Sequence, residues 1–458
     1  MSIARRITTA GLAGVLAVAA AGTAPPARAG QADAPAERVF PYPVHKKVLA
    51  NGLTVIVIPM PGSGLASVRT SVRTGSRDEY EPGHSGFAHF FEHMMFRGTK
   101  KMSQEERERV VTKMGASTNA YTSDDMTVYQ FDIAASDLEK VMDLESDRFM
   151  NLSYSPQQFQ TEAGAVYGEY RKNKASPFFQ LEEQLVAAIF KKHTYGHTTM
   201  GYEKDIAAMP TMFDYSKKFF ARYYRPENAV LIIAGDVDPT AALALADKYW
   251  SPWKKGYVKP RIPKEPAQTA ERKIEVAYQG RTLPVISLAY RDGAFAPDDV
   301  DWVSTLVLAE VAFGSTSAIY KKLVLDDRLV QTLEASPSQS RDPGLFRIDA
   351  VVAEPDKVDA VAAALESAID GARKDLADAG RVAATVSHMR YEFLLALDTP
   401  EAVAGRLAPI AALSGDITAI DRLYTTLAKV TPETVRAAAQ RVLDNRQRTV
   451  AILREKAQ

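Results

Sequence analysis

The chain has 458 residues, with 56 basic and 56 acidic side chains, seven histidines and no cysteine. Balanced charge excludes the basic footprint of a nucleic-acid binder, and 46% hydrophobic residues exclude a chain that is disordered throughout. Without a thiol there is no disulfide, thiolate nucleophile or cysteine metal site, so any metal must be held by histidine and carboxylate.

In chain order, residues 1–29 read as an export signal. Arg5 and Arg6 form a positive start, Ala10 to Ala21 is an apolar run too short to span a bilayer, and Ala27-Arg28-Ala29 fits a cleavage site. Cleavage near Ala29 predicts a periplasmic or secreted protein whose residues 30–38, small, polar and Pro-containing, form a disordered leader. No later stretch reaches the ~18 apolar residues of a membrane helix, so no stable membrane insertion is expected.

Residues 39–250 form the expected N-terminal domain. Asn51-Gly52 is a turn signal, and the β-branched run Leu53 to Ile58 reads as the strand returning from it. From Gly86 to Arg97 the residues flanking His89-Phe90-Phe91-Glu92-His93 are apolar on every face, which predicts a buried helix ended by Gly98. His89 and His93, four residues apart, put two imidazoles on one face, with Glu92 between their directions. Burying these groups without partners is costly, and two imidazoles on one face are half of a tetrahedral zinc site. Ser155 to Lys174, with Pro156 at its first position, reads as a helix on which Glu162 and Glu169 lie two turns apart. One of these carboxylates can be a ligand while the other steadies the site.

Residues 251–270 carry Pro252, Pro260, Pro263 and Pro266 among basic residues, and predict an extended, solvated linker. The second domain, 271–458, contains an Ala-rich helical pattern from Asp356 to Ala379. A faint repeat links the halves. A helix ending near Tyr224, a polar turn and a strand from Ala229 to Ala234 match a helix ending at Leu443, a turn and a strand from Arg448 to Leu453. The fold class is therefore α+β, with two duplicated sheet-plus-helix domains.

The His89 to His93 segment, the Glu162 and Glu169 pair, Asn119 to Asp125, and the Tyr195-Gly196-His197 and Pro226 to Val230 stretches together resemble the pitrilysin/insulinase (M16) family of zinc peptidases. The resemblance implies that Glu169 is the third zinc ligand, with Glu162 in support. It also implies that Glu92 is the general base in hydrolysis of unfolded peptides, and that Asn119 and Ala120 grip the substrate backbone. A short two-domain bacterial member of this kind is similar to the subunits of mitochondrial processing peptidase. Family members that complete the site from the second half carry an Arg and a Tyr where this chain has residues such as Ala318, Val324 and Gln331. Tyr320 and Arg328 stand nearby in the wrong order, and Ile319, Leu323 and Val324 read as the inward face of an amphipathic helix. The resemblance thus predicts an inactive second domain and a heterodimer, rather than a homodimer, whose M16-like partner supplies the Arg/Tyr pair. The alternative class is a non-catalytic peptide-binding or scaffold subunit of the same fold.

Overall fold

The computed structural model describes residues 38–456; the expected export signal and the leader up to residue 37 lie outside the described residues. Two sheets organise the chain. The first contains β1 (His45–Val48), β2 (Thr54–Pro59), β3 (Leu65–Val72), β4 (Ser117–Thr122), β5 (Thr127–Ala134) and β6 (Ala229–Gly235), in the order β1-β2-β6-β3-β5-β4. The second contains β7 (Arg272–Tyr278), β8 (Val285–Arg291), β9 (Val330–Pro337), β10 (Leu345–Val352) and β11 (Arg448–Glu455), in the order β7-β11-β8-β10-β9. In each sheet one parallel pair, β2 with β6 and β7 with β11, is followed by antiparallel neighbours. β6 and β11 begin 219 residues apart, each after a helix and a 3₁₀ turn, which is the duplication that the sequence repeat predicts.

Alternation along the strands divides each sheet between two cores. Val55, Val57, Leu231 and Ile233 face the helices of the first domain, among them Phe87–Met94 and Pro156–Lys174. Ile56, Ile58, Val230 and Ile232 face the opposite way and meet Val403, Leu407 and Ala411 of the Pro400–Ser414 helix, which comes from the second half of the chain. The exchange is reciprocal, because Leu181, Leu185 and Ile189 of the Pro177–Ile189 helix pack on Val276, Val285 and Leu453 of the second sheet. Strands buried on both faces read as continuous apolar runs, which is why Ala229 to Ala234 carries no polar residue.

Several expectations are corrected. The helix carrying the histidines spans only Phe87–Met94, with Met95 to Arg97 in a turn before Gly98. The Asp356 to Ala379 pattern is broken after Lys374, because the Asp378 side chain accepts the Arg381 N–H at 2.8 Å and starts a new helix, Ala379–Leu395. Ile319 and Leu323 point inward, but Val324 is only half-buried and the segment winds into a π-helical turn, Lys321–Asp326. Residues 251–270 are extended yet not a free strap. Trp253 is buried against Phe149 and Trp250, while Glu265 accepts the N–H groups of Lys191, Lys192 and His193 at 2.7–2.9 Å. Contrary to the sequence reading, one run, Val300–Asp326, has the length and apolarity of a membrane span. Trp302, Val303, Val307 and Leu308 place it in the core of the second domain.

Candidate metal centre

Two crossing helices build the site. Phe90 and Phe91 anchor the Phe87–Met94 helix in an aromatic cluster with Phe219, Tyr224 and, from the Pro156–Lys174 helix itself, Phe159, which sets the two helices against each other. The N-terminal end of the first helix is held by Glu79, a buried carboxylate that accepts the N–H groups of Gly86 and Ala88, each at 2.7 Å. Gly86 sits at φ +90°, and a Cβ there would stand 2.8 Å from the Met200 carbonyl oxygen, so only glycine fits this start. The second helix begins with a capping box between Ser155 and Gln158 and buries Phe159, Ala163, Val166 and Tyr170. Glu162 and Glu169 consequently border the core on the side of the histidines.

The ring nitrogens and one carboxylate converge. His89 Nε2 lies 3.2 Å from His93 Nε2, and Glu169 Oε2 lies 3.7 Å from the first and 3.3 Å from the second. Donor atoms about 2.0–2.2 Å from a tetrahedral zinc stand about 3.3–3.6 Å from one another, close to these separations. The chemistry agrees with the geometry: two imidazole nitrogens and a carboxylate oxygen that converge this closely need a cation among them, a proton on His93 in the metal-free pocket or a metal ion in its place. Glu162, buried, accepts from His93 Nδ1 at 3.1 Å, which leaves the Nε2 lone pair for the cluster. The Arg97 guanidinium holds the other oxygen of Glu162 and donates to Gln104 at 3.1 Å.

Burial holds His89 down to about 4, helped by the charge of His93. His93 itself is pulled down by burial but is raised to about 9 by hydrogen bonds to Glu162 and Glu169, so the pocket attracts positive charge. Glu169 is lowered, first by its hydrogen bond with His93. Glu92 lies beside the cluster, raised by burial against the pull of Thr122, whose Oγ1 donates to Glu92 Oε2 at 2.7 Å. Glu92, His93, Phe96, Arg97, Asn119, Ala120 and Glu162 line one open cleft. β4 is an edge strand, with Asn119 exposed and Ala120 buried, and so presents unpaired backbone to that cleft.

The structure thus brings His89, Glu92, His93, Glu162 and Glu169 together and sets Asn119 and Ala120 at the rim. Sequence reasoning missed the contacts of Glu79, Arg97 and Thr122. Strand alternation was the available signal for Thr122, which shares a face with Ala120. In the second half Ala318 and Gln331 are exposed, and Arg328, at φ +54°, is exposed too.

A histidine pair, a carboxylate ligand and a second carboxylate beside an open strand edge are the parts of a metal-assisted hydrolase site. The family profile described as insulinase (peptidase family M16) matches residues 54–203, and that of the peptidase M16 inactive domain matches residues 213–387. The zinc protease PqqE of Helicobacter pylori is 31% identical over 314 residues, 66% of this chain and 69% of that protein. An uncharacterized zinc protease of Streptomyces coelicolor is 23% identical over 88% of each chain. Among solved structures, a protease from Helicobacter pylori superposes with a TM-score of 0.84 at 24% identity, covering 90% of this chain and all of that one. The first half of the periplasmic protease PqqL from Escherichia coli gives 0.75 at 20% identity, covering 90% and 91%. This chain belongs to the insulinase family of metallopeptidases, peptidase family M16.

Proposed function

We propose that this chain is the metal-binding subunit of a zinc endopeptidase that hydrolyses unfolded peptides in a chamber closed by a second subunit. The observation that carries the reading is the mutual spacing of His89 Nε2, His93 Nε2 and Glu169 Oε2 with the Glu92 carboxyl beside them. When bound by these three residues, zinc supplies Lewis-acid polarisation of the scissile carbonyl and lowers the pKa of a bound water to about 7. Glu92 is the general base, taking a proton from the attacking water and passing it to the leaving amine. Its burial raises its affinity for that proton, while Thr122 fixes Oε2. Glu162 keeps His93 in the tautomer that leaves Nε2 free to ligate. The peptide lies as an added strand along β4, gripped at Asn119 and Ala120, and main-chain pairing of this kind makes few demands on sequence.

Two-chain clamshells of this family place an Arg and a Tyr at positions that here hold residues such as Ala318, Val324 and Gln331. The partner is therefore an M16-like subunit that supplies that pair to orient the substrate carbonyl, in an arrangement like that of mitochondrial processing peptidase. The N-terminal signal pattern, together with a relative described as periplasmic, supports a periplasmic or secreted setting.

The test is metal content by elemental analysis together with cleavage of a quenched peptide, with and without chelator, for the chain alone and with its partner. Glu92→Gln is expected to keep zinc and abolish turnover, and Glu169→Gln to weaken zinc binding itself. Equal activity of wild type and Glu92→Gln would remove the assigned base. Zinc binding without turnover in the assembled complex would favour the scaffold reading, and full activity of the dilute single chain would exclude the need for a partner.

A further inference from the structure

Residues 338–344 join β9 to β10, and Arg341 in this loop reaches out of the second domain into the first. Its main-chain N–H donates to Asp125 Oδ2 at 3.1 Å, its Nε to Asp125 Oδ1 at 3.2 Å, and its Nη2 to the Asp125 carbonyl at 2.9 Å and to Asp78 Oδ2 at 3.1 Å. Both aspartates are buried, with 3% and 1% of their surface exposed. Such a four-point contact fixes two pieces of main chain against each other, because a planar guanidinium spans two carboxylates in one rigid geometry.

The two pieces lead to the two partners of one bond. Asp125 sits in the turn between β4 and β5, three residues beyond Thr122. Asp78 immediately precedes Glu79, whose carboxylate holds the N-terminal end of the helix carrying Glu92. Thr122 and Glu92 are the pair joined at 2.7 Å. We propose that Arg341 is a positioning residue for Glu92, through which the domain without metal ligands sets the register of β4 against the Phe87–Met94 helix. The proposal rests on the reading of Glu92 as the base. The Phe87–Met94 helix also carries His89 and His93, whereas β4, which supplies Thr122, carries no zinc ligand, so a shift of β4 against the helix falls mainly on turnover and less on metal binding.

The experiment uses the zinc-loaded full chain assembled with its partner. Arg341→Met is expected to lower kcat by about tenfold to a hundredfold, the scale of a small misplacement of a catalytic group, with KM and zinc stoichiometry little changed. Arg341→Lys, which keeps charge but not the fork, is expected to recover part of the loss and carries the test if Arg341→Met does not fold. Combined with Thr122→Val the losses should fail to add, since both act on one bond. Arg441→Met, which strips a guanidinium from the buried carboxylate of Asp292, is the matched control and should leave kcat unchanged. Amide exchange supplies a readout apart from turnover: the turn at 123–126 and the amides of Gly86 and Ala88 should exchange faster in Arg341→Met, while β11 stays protected. Unchanged exchange at those amides, additive losses with Thr122→Val, or an equal loss in Arg441→Met would overturn the proposal. An inactive wild-type complex would instead sink the peptidase reading, leaving the exchange result to decide whether Arg341 clamps the two segments.

Discussion

Glu162 accepts the Nδ1–H of His93 at 3.1 Å, from the same helix that supplies Glu169 to the other side of that ring. One helix therefore both ligates and aims, and Arg97 keeps Glu162 in its ionised, accepting state: burial raises the carboxyl, but the hydrogen bonds of His93 and Arg97 bring it below its ordinary value. Glu162→Gln is expected to weaken zinc binding by about tenfold or more without unfolding the chain. Competition with a chromophoric chelator measures it, and unaltered affinity would show that His93 needs no such support.

Zinc binding should release a proton. In the metal-free pocket His93 is held at about 9, so at neutral pH it carries a proton that the ion must displace, whereas Glu169 is already ionised and His89, held at about 4, already neutral. Affinity should rise about tenfold per pH unit from about 5 to about 9 and then level off. Calorimetry at pH 7 in buffers of different ionisation enthalpy should return about one proton per zinc. A buffer-independent heat would contradict the assignment.

Between the domains, Asp342 accepts from His193 Nε2 at 2.9 Å and pairs with Arg77 at 2.6 Å. Burial opposes ionisation, but these two contacts win and hold the carboxyl well below its ordinary range. A depressed folded-state pKa gives stability that is complete above the unfolded value of about 3.9 and is lost as pH falls below it. Asp342→Asn should thus lower the urea midpoint at pH 7, and wild type and variant should converge on acidification below about pH 4. A gap that widens in acid would reverse the sign of this argument.

The Pro400–Ser414 helix can lie close on the first sheet because Ala404, Ala408 and Ala411 face it and are fully buried. Ala408→Leu is expected to cost about 1–3 kcal/mol by overpacking, whereas Leu395→Gln, at a position 79% exposed, should stay within about 0.5 kcal/mol. Equilibrium urea unfolding separates the two, and an Ala408→Leu chain as stable as wild type would show that the helix is free to move off the sheet.

The parts of the site that follow from spacing along one helix were legible. Residues four apart must share a helix face, so the shared direction of His89 and His93 needed no tertiary information, and the seven-residue interval between Glu162 and Glu169 likewise restricted both to one side. Resemblance to a known family was needed to tell which carboxylate turns to the cluster. The duplicated helix-turn-strand at Ala229 and Arg448 was also visible, because local order of elements is written in local pattern.

What lay beyond the sequence was set by contacts between residues hundreds of positions apart. Nothing in the Ala-rich run from Pro400 says that it covers the sheet of the other domain, and nothing in Ser338 to Gly344 says that Arg341 meets Asp78 and Asp125. The basic, Pro-rich stretch of 251–270 reads as a solvated linker until Trp253 and Glu265 find their partners. Periodicity fixes which way a side chain points from its own helix or strand; what waits there depends on how the whole chain closes, and only packing of the two domains against each other decides that.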